Sequence, residues 1–475
     1  MPVQVKDSEK QRIIDRTVAA GQEHVLRFWQ DLAPASRDKL LAQLSQIDFD
    51  LVAKHHKSFL QARQSRPHKA RFEPAEFIPI PKSAAEREAA NRAKLEGEEA
   101  LRRGRVAAFL VAGGQGTRLG FDGPKGKFPI SPIRKKSLFQ LHAEKILALS
   151  RRHDTAIPWY IMTSKTNHEE TVELFERQHY FGLRPAEVMF FRQEMVPALD
   201  PNGKLLLETK DHIFENPNGH GGSLSALKNS GALDDMKDRG IDLIFYFQVD
   251  NVLVKMCDPL FLGVHLQQRA DMSAKIVVKT DPEEKVGVLG RIDGKWGVIE
   301  YSDLSEQEKT ASAPDGSLRF KAGNMAIHVL SVAFVERENK GGLRLPWHVA
   351  HKKIPFLDAN GRLVAPEGPN GYKFETFVFD ALKDAKRAVF LEARREAEFS
   401  PVKNATGVDS PESARQDLMR MFARWLQRAG VHVPCEADGS PQPLIEISPL
   451  FALDAEEVER KVSAGLTVSD SLYLE

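Results

Sequence analysis

The chain has 475 residues, 42% of them hydrophobic and 28% charged, as in ordinary folded proteins of two or three domains. Its 67 basic and 66 acidic side chains nearly cancel, which argues against a protein held on nucleic acid by a global basic field. The two cysteines, Cys257 and Cys435, exclude a disulfide framework, and no apolar run approaches the roughly 20 residues of a membrane span.

Three zones differ in texture along the chain. Residues 1–104 read as an N-terminal helical region. There "EKQRIIDRTVAAGQEHVLRFWQDL" puts Ile13, Ile14, Val18, Val25, Leu26 and Trp29 at helical intervals. The stretch "SAAEREAANRAKLEGEEALRRG" is rich in strong helix formers, with Gly104 as its stop. Between them, Pro-rich "FEPAEFIPIPKS" reads as an extended linker. The opening residues carry no apolar export core, so a cytoplasmic protein is expected.

Residues 105–385 read as a central domain. "VAAFLV" (106–111) is the continuous apolar run of a strand buried on both faces, and similar runs recur at 158–163, 242–249 and 273–279. Helix-like "SLFQLHAEKILALSRRH" and "NHEETVELFERQHYFG" lie between them, so the expected fold is α/β, an open, doubly wound sheet. The closely spaced short strands of "KVGVLGRIDGKWGVIEYSDL" predict a mixed sheet or added hairpin layer. Residues 386–475 read as a smaller C-terminal domain. It opens with helix-like "DAKRAVFLEARREAEF", continues with the helix "SARQDLMRMFARWLQRAG" and closes on strand-like "PQPLIEISPLFAL".

The chemistry concentrates in "LVAGGQGTRLGFDGPKGKF", Leu110–Phe128, a strand-to-helix turn where backbone N–H groups can face an anion. A dinucleotide fingerprint needs glycine at 119, which is leucine. An ATP-type loop needs Ser or Thr after Gly-Lys, where Phe128 stands. What remains is a glycine turn carrying two cations, Arg118 and Lys125. A planar fork and a point charge on one glycine loop suit a polyphosphate whose charge is rearranged during reaction. Asp250 ends the apolar run "LIFYFQV", where an acidic side chain points into the ligand crevice of an open α/β sheet. A carboxylate facing phosphates is tolerable with a hard cation between them, which suits Mg²⁺. The turn "NPNGHGGSLSAL" (216–227) feeds a helix, and its N–H groups at Gly221 and Gly222 could meet a uracil or ribose edge.

"LVAGGQGTRLG…GPKGKFPI" resembles the signature of the UDP-sugar pyrophosphorylase family, most of all its UDP-N-acetylglucosamine branch. Further matches follow in family order: "KSLFQLHAEKI", "FFRQEMVPAL", "NPNGHGGSLSAL", "FYFQVDNVLVKMCDPLFLG", "EKVGVL", "VIEYSDL", "AGNMAIH", "YKFETFVFD", "REAEFSPVKNATG" and "IEISPLFAL". The likeness spans about residues 107–450. It implies a Rossmann-like, doubly wound mixed sheet of the nucleotide-diphospho-sugar transferase type. It also implies a uridylyltransferase that joins UTP to a sugar 1-phosphate, most of all N-acetylglucosamine 1-phosphate.

By the resemblance, Arg118, Lys125 and Lys403 are catalytic cations. Ala112, Gly113, Gly114, Gly116, Gln193, Gly221, Gly222 and Asp250 bind the nucleotide, Gln193 pairing its amide with uracil. Asn251, Gly287, Glu300, Asn324 and Phe379 face the sugar, with Phe374 and Phe377 as further walls. Asp250 is the ligand of Mg²⁺, the implied cofactor. Small-molecule substrates, no nucleic acid, no membrane, and a monomer or weak homo-oligomer are the implied partners.

Two departures bear on the sugar and leave the reaction class untouched. The branch reads G-N-G-G-L-Y where this chain has Gly219-His220-Gly221-Gly222-Ser223-Leu224, a "GHG" more like UDP-glucose and broad UDP-sugar enzymes. A family asparagine shortly after Asn324 is Ile327 here. Glucose 1-phosphate, a broader sugar range, or a catalytically silent sugar-nucleotide binder remain the alternatives. A silent relative is expected to have lost one of Arg118, Lys125, Asp250 or Lys403, and all four are present.

Overall fold

A computed structural model describes residues 3–64, 70–463 and 465–475. Its central element is the strand Val106–Val111, whose first five residues are all buried, as its unbroken apolar run requires. Parallel strands flank it on both sides. Trp159–Thr163 and then Val188–Arg192 lie on one side, and Leu243–Gln248 on the other, with Phe109 opposite both Tyr160 and Tyr246. The chain therefore moves outward in one direction and then returns to the opposite side of Val106–Val111. That reversal is a topological switch point, where open α/β sheets leave a crevice beyond the carboxyl ends of the strands.

Beyond Leu243–Gln248 the sheet turns antiparallel. Ala322–Ser331 pairs with it and also with Met272–Val278, which pairs in parallel with Ala388–Glu392. The expected hairpin layer is Val288–Ile292 with Lys295–Ile299, joined through Asp293 and Gly294, both in the left-handed region. With Phe72–Pro74 these strands complete a ten-stranded mixed sheet.

Three readings are corrected. "DAKRAVFLEARREAEF" is not a helix over its length: Ala388–Glu392 is a strand, and only Arg395–Glu398 is helical. Its Ala, Arg, Glu and Leu favour helix locally, but pairing with Met272–Val278 gives the apolar Ala388–Leu391 a place in the sheet, with Phe390 and Leu391 buried. The "linker" is extended but not loose. Phe72–Pro74 pairs with Val288–Ile292, and Ile78 forms a bridge with Leu391. The first amphipathic stretch breaks at Gly21 (φ +70°), leaving the helix Ser8–Ala19 and two short 3₁₀ turns.

The chain divides into two compact units that cut across the boundaries 1–104, 105–385 and 386–475. The first combines residues 1–69, 194–222 and 345–378; positions 1–2 and 65–69 lie outside the described residues. Its core joins Ile14, Val25, Leu40 and Leu44 to Leu199, Leu207 and Tyr372. Two buried glutamines complete it by bonding backbone in place of a strand. Gln22 accepts from Leu205 N (2.9 Å) and donates to Gly203 O (2.9 Å), and Gln43 accepts from Ile213 N (2.8 Å) and donates to its O (2.9 Å). The second unit holds the large sheet and the C-terminal helix Pro411–Arg428. Leu418, Phe422 and Leu426 of that helix enter the same core as Phe245, Phe247 and Ile161.

Helix Ala84–Arg102, read from sequence with the N-terminal zone, belongs to this second unit and lies against helix Pro259–Gln267. A Cβ on Gly97 would stand 1.9 Å from Pro259 O, and one on Gly263 would stand 1.6 Å from Ala93 O. Glycine inside a helix costs roughly 1 kcal/mol relative to alanine, so both positions exist for backbone approach. Gly97→Ala and Gly263→Ala should each lower unfolding free energy by about 2 kcal/mol, as overpacking does, measured by urea denaturation. Undiminished stability in both would show that the helices part freely.

Candidate active site

The glycine loop leaves Val111 and is tied into a narrow turn by its own backbone. Gly116 N donates to Gly123 O (2.9 Å) and Lys125 N to Gly114 O (3.1 Å). Gly120 and Gly123 sit at φ +67° and +113°, where a side chain would strain the backbone. Gly126 faces the ring of Phe139, which a Cβ would meet at 2.3 Å. A buried side chain that the sequence reading missed braces the turn from beneath. Asn167 Nδ2 donates to Ala112 O (3.0 Å) and Gly114 O (3.3 Å), and its Oδ1 accepts from Ser164 N (2.8 Å). Its only signal was an asparagine ahead of the helix His168–Arg177. Among the described residues, the N–H groups of Gly113 and Gly114 find no hydrogen-bond partner, which leaves two donors at the strand end for an anion.

The structure joins the loop to Asp250. Val249 N donates to Val111 O (3.2 Å), which sets Asp250 beside the loop, and Lys125 Nζ lies 3.3 Å from Asp250 Oδ2. Both side chains are largely buried, at 17% and 12% exposure, where neither charge is stable alone. Gln193 is also buried against the turn: a Cβ on Gly113 would stand 3.0 Å from its Oε1. Arg118 is exposed and forms no hydrogen bond or ion pair with other described residues. Lys403 is also exposed, in the loop after Val402. That loop is tethered to the Asp250 segment, because Val402 N donates to Asp250 O (3.0 Å).

Three more residues around these segments were not foreseen. Asp409, at φ +56°, accepts through its carbonyl from Lys403 N (2.7 Å) and Asn404 N (2.9 Å). Burial raises its carboxyl pKa; Lys403 and Arg395 oppose the rise, while Asp250 and Glu284 add to it. From behind, helix Leu138–His153 grips the segment after Gln248. His142 Nε2 lies 3.1 Å from Val249 O, and Lys145 Nζ donates to Val252 O (2.7 Å) and Val254 O (3.0 Å). Burial lowers the Lys145 ammonium to about 7 and His142 to about 3, so the histidine stays neutral.

The sugar-facing candidates divide. Gly287, Glu300 and Asn324 meet where the hairpin layer joins Ala322–Ser331. Asn324 N donates to Gly287 O (2.9 Å), and a Cβ on Gly287 would lie 3.4 Å from Glu300 Oε1. Ala326 at φ +55° and a register shift mark a bulge between Asn324 and His328, with Asn324 itself still paired opposite Ile276. Ile327 is buried in the core. Asn251 does not join this group, because its amide is committed to the backbone. It donates to Glu398 O (2.8 Å) and accepts from Ser400 N (3.0 Å) and Leu253 N (3.3 Å). Phe379 is half-buried. Phe374 is core, and Phe377 stacks on His220 and lies tilted against His348.

Gly221 and Gly222 belong to the first unit, and their N–H groups are already used. Gly221 N donates to Thr376 O (2.8 Å) and Gly222 N to Gly219 O (3.0 Å). The turn needs glycine there for another reason. A Cβ on Gly221 would stand 2.6 Å from Phe377 N, and one on Gly222 would stand 1.9 Å from Asn218 Oδ1. His220 Nδ1 accepts from Val378 N (3.2 Å).

A glycine loop with free N–H groups, a lysine and a carboxylate at the switch point of a Rossmann-like sheet define a nucleotide-handling α/β protein of the sugar-nucleotide transferase class. A family model described as UTP–glucose-1-phosphate uridylyltransferase matches residues 53–464, and the chain belongs to that family. It is 39% identical to UDP-N-acetylhexosamine pyrophosphorylase-like protein 1 of Homo sapiens, covering 95% of this chain and 94% of the relative. It is 37% identical to a probable UDP-N-acetylglucosamine pyrophosphorylase of Dictyostelium discoideum, covering 94% of each. The solved uridine diphosphate N-acetylglucosamine pyrophosphorylase of Trypanosoma brucei, in complex with an inhibitor, superposes with a TM-score of 0.82 at 27% identity. That match covers 100% of this chain and 99% of that one.

Two outcomes test the scaffold. Asn167→Ala should cost about 2 kcal/mol of stability by stranding buried backbone groups, read by urea denaturation; a neutral result would remove the brace. Lys145 has its folded-state pKa lowered to about 7 from 10.5, so between these values the unfolded chain holds a proton that the folded chain has released. This group therefore makes stability rise with pH across that window and fall as pH drops through it. Lys145→Met should flatten the rise between pH 7 and 9.5, and an unchanged slope would refute the assignment.

Proposed function

We propose that the protein makes a UDP-sugar and pyrophosphate from UTP and a sugar 1-phosphate, with N-acetylglucosamine 1-phosphate as the sugar substrate. The observation that carries this is the Lys125–Asp250 pair beneath a glycine loop with unpaired N–H groups. A cation and an anion side by side suit a triphosphate exchanging its leaving group. The sugar assignment is supported by the names of the relatives of Homo sapiens and Dictyostelium discoideum.

An oxygen of the sugar phosphate attacks the α-phosphorus in line. Its new P–O bond forms as the bond from that phosphorus to the β-bridging oxygen breaks, and pyrophosphate leaves with the electron pair. No covalent enzyme intermediate is needed, so the barrier falls by positioning and electrostatic stabilisation. Lys125 and Arg118 neutralise the departing phosphates, and Lys403 steadies the incoming one. Gln193 reads uracil, and Gly287, Glu300 and Asn324 receive the sugar. Asp250 is the group to hold Mg²⁺. One carboxylate plus substrate phosphate oxygens is a donor set that this ion accepts, and it supplies charge neutralisation at the α-phosphate.

We place the protein in the cytoplasm, as a monomer or weak homo-oligomer with no nucleic-acid partner. The near-zero net charge supports the lack of a nucleic-acid partner, and no helix among the described residues is long and apolar enough to cross a membrane.

Purified protein with Mg²⁺ and UTP should release pyrophosphate with N-acetylglucosamine 1-phosphate in preference to the N-acetylgalactosamine, glucose and galactose 1-phosphates. Silence with all four sugars would sink the enzyme reading, and a preference for glucose would overturn the sugar. Chelation by EDTA should stop turnover and Mg²⁺ restore it. Arg118→Ala, Lys125→Ala and Lys403→Ala should each raise the barrier by on the order of 3 kcal/mol, a loss of about a hundredfold in kcat. Near-parental turnover in these variants would refute their roles.

A further inference from the structure

A buried lysine stands behind the Asp250 segment, on a strand none of the candidate site residues occupies. Lys275 lies in the middle of Met272–Val278 and is 1% exposed. Its Nζ lies 2.7 Å from Asp258 Oδ2 and forms a second ion pair with Glu398. Asp258 caps the helix Pro259–Gln267, accepting from Leu260 N (3.3 Å), and is also paired with Lys255 at 3.0 Å. Burial alone would raise the Asp258 carboxyl, but Lys255 and Lys275 hold it below the usual carboxylate range. The four charges cancel.

The second partner, Glu398, begins the segment that carries Lys403. Its carbonyl accepts the Asn251 amide (2.8 Å), and from there two stretches are laced together. Ser400 N donates to Asn251 Oδ1 (3.0 Å), Val252 N to Ser400 O (3.4 Å) and Val402 N to Asp250 O (3.0 Å). Lys403 is the next residue. One ammonium on the sheet therefore pins two places. They are Asp258, where the segment after Asp250 ends, and Glu398, where the segment before Lys403 begins.

A buried charge cluster is poor value as stabilisation, since well-packed apolar side chains are commonly as stable or better. Its use lies in geometry, because a charge without its partner cannot be buried cheaply. We infer that Lys275 is a positioning residue, which sets Lys403 opposite Asp250 by holding Glu398 and Asp258 to the sheet. This rests on the reaction proposed above for its kinetic consequence, but not for its structural one.

The test uses Glu398→Gln, which keeps shape and carbonyl and leaves Lys275 paired with Asp258, together with Lys275→Met. In hydrogen-exchange mass spectrometry of the full chain, amides in 250–252 and 400–403 should exchange about tenfold faster in Glu398→Gln, with Val106–Val111 unchanged. In turnover, kcat should fall by about tenfold with the KM for UTP within about twofold, as when a supporting partner is lost, and Lys275→Arg should recover part of the rate. Unchanged exchange in those two segments would overturn the inference whether or not the protein is active. So would exchange that accelerates uniformly across the sheet in both variants, since Lys275 would then be merely structural. A parent protein silent with every sugar would instead defeat the functional reading and leave the exchange result to decide the anchoring.

Discussion

The site depends on the parallel pairing of Val106–Val111 with Leu243–Gln248. Val111 stands opposite Gln248, so the two chains leave the sheet side by side. One continues into Gly113 and Gly114, whose N–H groups are unpaired among the described residues, the other into Asp250. Their carboxyl ends adjoin because the connection order reverses between these two strands. A shift of register by one residue would turn every side chain to the other face and separate Lys125 from Asp250.

Around that junction, polar side chains are used chiefly to hold backbone. Asn167 ties two loop carbonyls from below, Lys145 ties two carbonyls after Asp250 from behind, and Asn251 ties the segment of Glu398 and Ser400. Each does what a neighbouring strand would do, at places where the chain must be irregular to expose its ends. Arg118 and Lys403, by contrast, are exposed. The backbone support is hydrogen-bonded, whereas two of the proposed charge carriers stand in solvent.

Much of this was legible in residue pattern. The buried strands at 106–111, 159–163 and 243–248, the helix Leu138–His153 and the Asp-Gly hairpin all declared themselves through period, composition or turn chemistry. Both failed motif matches in the glycine loop were informative, because they left Arg118 and Lys125 as the features to explain. What pattern misjudged was context: Ala388–Glu392 has helix-forming neighbours but a strand's place. Pattern also gave no sign that the Asn251 amide and the N–H groups of Gly221 and Gly222 bond to backbone.

By itself, the sequence determined the class of fold and the chemical inventory, because buried strands, glycine turns and cations leave local signatures. Only the tertiary structure decided which of those groups meet. The 3.3 Å pairing of Lys125 with Asp250 spans 125 residues. Asn167 and Lys275 acquire their tasks from partners 53 and 123 residues away, Gly114 and Glu398. Local propensity is set within a few residues, whereas the register of distant strands is set by what the whole core can bury. No short stretch carries that information.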